Sequence, residues 1–138
     1  IETIARKKIK PLFPDNNGKW PNNAKHSIVY DVIEGGKGPK FRRTTLPINK
    51  IKLKMKEANI PVAISKKAGG HMCEQILYLG QHFMKQEGLK GISGHIHLPH
   101  SPLAAKYAKS KKFMDLNKIK KGVEIVIKES VHFLKRMK

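Results

Sequence analysis

The residues of this chain best suited to covalent chemistry are its single cysteine, Cys73, and a histidine further along, His97. The turn Ser65-Lys66-Lys67-Ala68-Gly69-Gly70-His71 feeds Cys73 into a run with helical spacing, Met72, Ile76, Leu77, Leu79, Phe83 and Met84, which stops at Gly88. A thiol in the first turn of a helix lies beside unpaired backbone N–H groups and the positive end of the helix dipole, an environment that favours negative charge. His97, in Ile92-Ser93-Gly94-His95-Ile96-His97-Leu98-Pro99, supplies an imidazole. The pair points to nucleophilic catalysis at sulfur, with histidine as the proton carrier. The competing account is plainer: Cys73 as a small apolar side chain packed into a core.

Several elements must position these groups. Ile60-Pro61-Val62-Ala63-Ile64 and residues 92–97 read as strands on either side of the Cys73 helix, one parallel crossover unit that brings thiol and imidazole to one rim of a sheet. Residues 1–10 are expected as a basic strand, and residues 27–33, β-rich, as another. Between them residues 11–23 form a loop with turn chemistry at Pro14-Asp15-Asn16-Asn17-Gly18; Trp20 is expected to fold over it, with a base-stacking platform as the alternative. Glu34-Gly35-Gly36-Lys37-Gly38-Pro39 lacks the spacing of a phosphate-binding loop and reads as a flexible connection. A helix is expected over residues 47–59, with Ile48, Ile51, Met55 and Ala58 on one face. Residues 102–112 form a linker with a short helix, and Asp115 caps a last helix striped by Leu116, Ile119, Val123, Ile127, Val131 and Leu134. The sum is a single α/β domain over residues 1–138, a mixed sheet with helices on both faces.

Ser65-x-x-Ala68-Gly69-x-x-x-Cys73, followed by Gly94-x-Ile96-His97-Leu98-Pro99, resembles the pyroglutamyl peptidase I (pyrrolidone-carboxylate peptidase) family. Pro14-Asp15-Asn16-x-Gly18, Thr45-Leu46-Pro47-Ile48 and Ile60-Pro61 recur in that family in the same order, and Ile1-Glu2-x-Ile4-Ala5 resembles its glutamate segment. The resemblance implies a three-layer α/β/α sandwich with a mixed, mostly parallel sheet. It also implies an enzyme, a cysteine peptidase removing N-terminal pyroglutamate from peptides. Cys73 would be the nucleophile, His97 the base and then the acid, and Glu2 the carboxylate orienting the imidazole. Backbone N–H groups around Gly69 and Gly70 would hold the oxyanion. No metal or cofactor is required. Family members begin well upstream of the glutamate segment, so the resemblance corresponds to the C-terminal two-thirds of the family domain. The chain departs from the pattern at His71, where the family has an aromatic residue, at Glu74, where it has asparagine, and at His95, where it has phenylalanine. Glu74 would set a carboxylate beside the nucleophile, a like-charge clash with a thiolate unless it faces a lysine.

Charge supplies the alternative function. With 29 Lys+Arg against 10 Asp+Glu the net charge is +19, which no peptidase chemistry needs. A surface of this kind binds phosphate backbones by counterion release. Lys7, Lys8, Arg42, Arg43, Lys111, Lys112, Lys120 and Lys121 are the expected contacts if the chain is a catalytically degenerate, RNA-binding or ribosome-associated form of the fold. His95, His97 and His100 are the one close histidine cluster, but no carboxylate or second thiol adjoins them in sequence, and no metal site is expected. A single cysteine precludes an internal disulfide and suits a reducing, cytoplasmic setting. No apolar run is long enough to span a membrane, and a homo-oligomer is left open.

Overall fold

A computed structural model describes residues 1–6, 38–66 and 72–137. The elements are β1 (Ile4–Arg6), β2 (Phe41–Arg43), α1 (Ile48–Glu57), α2 (Met72–Gln86), α3 (Pro102–Tyr107) and α4 (Leu116–Arg136). They fall into two compact units, Ile1–Thr45 with Ile64–His95, and Leu46–Ala63 with Ile96–Lys138. The expected loop at residues 11–23 with Trp20, the strand at 27–33, most of the glycine-rich connection, Gly69, Gly70, Lys7 and Lys8 lie outside the described residues.

In the first unit β1 and β2 pair antiparallel, with Ala5 opposite Arg42. Just before β1, Glu2 bridges two more segments, parallel to Ser65 and antiparallel to His95. The Glu2 N–H donates to the His95 carbonyl at 3.0 Å, and the Thr3 N–H to the Ser65 carbonyl at 2.8 Å. The pairing is therefore mixed, in an α/β fold. It also corrects one expectation: the segments before and after α2 are not neighbouring parallel strands, because the amino-terminal segment takes the hydrogen bonds of both. Of residues 60–65 only Ser65 joins a bridge. Pro61 has no N–H to contribute to a ladder.

Helix α2 packs on β1 through Leu77 and Tyr78, which close with Ala5 into a small core. The expected stripe is only partly right. Met72, Ile76 and Phe83 are exposed, while Glu74, Leu77 and Tyr78 at i, i+3 and i+4 make the buried face. A hydrophobic pattern cannot register a buried carboxylate, so it rotates the helix. Behind α2, a Cβ on Gly80 would lie 2.8 Å from Ser93 Oγ, so a side chain there would require the Ser93 hydroxyl to turn aside. The Ser93 carbonyl there accepts from the Thr45 N–H at 2.9 Å and from Gln81 Nε2 at 2.7 Å. These bonds fix the segment that leads into His95.

In the second unit α1 forms as expected, with Ile51 and Met55 buried. It ends where Asn59 takes φ 54° and the Ile60 N–H bonds back to the Met55 carbonyl at 2.9 Å. The exposed Lys54 donates to Glu57 at 2.7 Å, and this bond, reinforced by the carboxylate's charge, raises the ammonium pKa above its ordinary value. Asp115 caps α4 as its position suggests, accepting from the N–H groups of Asn117 and Lys118. The α4 stripe is displaced from expectation. Gly122 and Val126 are buried, whereas Leu116, Ile127 and Val131 are exposed, because α1 approaches along the glycine side. A Cβ at Gly122 would meet Met55 Cε at 3.5 Å, ordinary contact. Gly122→Ala is therefore expected to stabilise the protein by about 1 kcal/mol, the helix-propensity difference. Urea unfolding measures this, and a loss of stability would show that α1 cannot yield to the methyl group.

Candidate active site

Cys73 is the second residue of α2 and half-buried. Its Sγ lies within 4.8 Å of a ring nitrogen of His95. The helix start is thus set against the segment that pairs with Glu2, whose side chain is buried. Directly opposed residues of an antiparallel bridge share a face, so Glu2 and His95 project to one side of the sheet. His97 follows two residues later, exposed, among the first residues of the second unit.

Glu74 does not stand against the thiol. Successive helical residues point in different directions, and the Glu74 side chain turns into β1, 1% exposed. Its Oε1 accepts the Arg6 N–H at 2.8 Å and lies 3.7 Å from Arg6 Nη1. The expected clash is replaced by a buried anchor between α2 and β1, facing a cation. Sequence spacing carried no signal for this, because Arg6 and Glu74 are remote in the chain.

The candidate phosphate contacts scatter. Arg42 is drawn into the first unit, its guanidinium 5.1 Å from the Tyr78 ring centroid and Nη2 3.4 Å from His82 Nδ1. Arg43 is exposed on β2, Lys111 and Lys112 lie exposed before α4, and Lys120 and Lys121 are exposed on it. In the second unit a cavity of about 330 Å³ lies between α1 and α4, lined in part by Lys50, Leu53, His132 and Phe133, and it contains none of the catalytic candidates. No helix among the described residues is long and apolar enough to cross a membrane.

The described residues form an α/β fold with a thiol in the first turn of α2, and comparison with known proteins identifies its family. The pyroglutamyl peptidase family matches residues 3–132. Pyrrolidone-carboxylate peptidase of Pyrococcus furiosus is 34% identical over 137 residues, covering 94% of this chain and 62% of the relative. That of Thermococcus kodakarensis is 32% identical over 128 residues, covering 93% and 58%. A crystal structure of the Pyrococcus furiosus pyrrolidone carboxyl peptidase superimposes with a TM-score of 0.79 at 32% identity, covering 97% of this chain and 62% of that one. The chain belongs to the pyroglutamyl peptidase family. It spans about three-fifths of the length of these relatives.

Proposed function

We propose that this chain carries the catalytic residues of a peptidase that removes N-terminal pyroglutamate from peptides. The observation that carries the proposal is Cys73 in the first turn of α2, its sulfur against the histidine-bearing segment that Glu2 pairs with. Family membership gives that arrangement its substrate, since the relatives are named for cleaving pyrrolidone carboxylate.

The Cys73 thiolate attacks the carbonyl that joins the pyroglutamyl ring to the next residue, forming an S–C bond and a tetrahedral oxyanion. Collapse breaks the C–N bond, and His97 gives the leaving amine its proton. Water, deprotonated by the same imidazole, then attacks the thioester and releases pyroglutamate and the thiol. Glu2 orients the imidazole. The motif Gly94-x-Ile96-His97-Leu98-Pro99 and the pairing of Glu2 with His95 support these roles. N–H groups at the start of α2, with Gly69 and Gly70 ahead of it, are the proposed oxyanion donors. The steps need no metal. The neutral lactam calls for a largely apolar pocket.

The test is release of aminocoumarin from pyroglutamyl-aminomethylcoumarin by the purified protein and by Cys73→Ala. Cleavage is expected from the parent and background from the variant. A well-folded parent that does not cleave, or a variant that still does, rejects the proposal.

A further inference from the structure

The connection between α3 and α4 combines exposed rings with exposed lysines. Residues 106–113, Lys-Tyr-Ala-Lys-Ser-Lys-Lys-Phe, carry four lysines and two aromatic rings, and no aspartate or glutamate occurs between Glu87 and Asp115. Tyr107 is 80% exposed and Phe113 61% exposed, and all four lysines are exposed around them. Neither ring is used by the catalytic proposal.

The segment is shaped by its own hydrogen bonds. The Ser101 side chain accepts from the Ala104 N–H and starts α3. The Ser110 N–H donates to the Ala105 carbonyl at 2.9 Å, with Lys109 at φ 49° making the turn. Ser110 Oγ accepts from the Lys112 N–H at 3.2 Å and donates to the Lys112 carbonyl at 3.1 Å. Downstream, the Met114 N–H donates to the His100 carbonyl at 2.8 Å. Tyr107 and Phe113 thus flank a turn tied down at both ends, which lowers the entropy lost when a ligand covers them.

We infer that this turn is a sequence-tolerant binding site for single-stranded polynucleotide, with bases stacking on Tyr107 and Phe113 and phosphates held by Lys106, Lys109, Lys111 and Lys112. Stacking rings interleaved with cations is the pattern single strands use, because every base has a π-face and every linkage a charge. A duplex hides its base faces and would leave both rings without a partner. A membrane-surface element would segregate apolar and basic side chains onto opposite faces. Here four lysines and two rings fall within eight consecutive residues, three of the lysines between the rings.

The test is fluorescence anisotropy of labelled oligo(U) and oligo(dT) of about 12 nucleotides, a site size of the order one small module covers. Tyr107→Ala/Phe113→Ala, with charge unchanged, is expected to weaken binding at least about tenfold. Lys111→Gln/Lys112→Gln should lower the salt slope by about 1.4, and Lys52→Gln/Lys56→Gln, which removes equal charge from exposed α1 positions, should leave affinity within about twofold. Tyr107→Trp should show fluorescence quenched by the oligonucleotide, which a purely structural ring would not. The inference is overturned if the double aromatic variant binds like the parent, if duplex of equal length binds as tightly as single strand, or if the two rings matter equally for phosphatidylserine vesicles. Preference between oligo(U) and oligo(dT) decides between RNA and DNA. Activity on the coumarin substrate is a separate measurement, so failure of one proposal leaves the other standing.

Discussion

Replacing His97 with alanine is expected to lower kcat for pyroglutamyl-aminomethylcoumarin by about 10²–10⁴-fold, the usual contribution of a general acid–base residue. His95→Phe, which restores the residue type of the family pattern, is expected to stay within about threefold of the parent, a change too small for a lost proton carrier. The contrast matters because His95, not only His97, is a candidate by position: its ring nitrogen is within 4.8 Å of Cys73 Sγ. His97 is favoured by the motif Gly94-x-Ile96-His97-Leu98-Pro99 and by its exposure, which leaves an imidazole able to exchange protons with water. If His95→Phe instead abolishes turnover while His97→Ala does not, the base is His95, and the chain has moved its proton carrier two residues upstream. Rates should be taken with the variants' thermal unfolding, so that loss of fold is not read as loss of chemistry.

Glu74→Ala should cost about 3 kcal/mol in urea unfolding, because it removes a buried, charged acceptor and strands the Arg6 N–H. Glu74→Gln keeps an acceptor oxygen and should lose less than half as much. The bond lies between α2 and β1, four residues after Glu2, so loosening it should also lower activity through the position of the Glu2 segment. Leaving out the carboxylate with no change in stability would show that Arg6 finds another partner and that Glu74 is not the anchor described. In that event the variant's activity would be expected to match the parent's.

Local chemistry in the sequence was sufficient for the elements whose signals are short-range. Asp115 is followed by two N–H groups it can cap, and Pro61 and Gly88 interrupt their neighbourhoods whatever the rest of the chain does. The motif around Cys73 was equally legible, and with it the family. Tertiary structure decided which face of each helix is buried and which strands are neighbours. The α2 face turned on Glu74, a polar residue that no apolar periodicity selects, and the α4 face turned on Gly122, which an apolar pattern passes over although it is buried against α1. Strand order turned on the segment around Glu2, which separates Ser65 from His95 and accepts one parallel and one antiparallel partner. Hydrogen bonds between residues so far apart in the chain leave no trace in spacing. The sequence by itself therefore determined the candidate nucleophile, its helix and its kin; what takes up the Glu74 carboxylate, only the packing of α2 against β1 could decide.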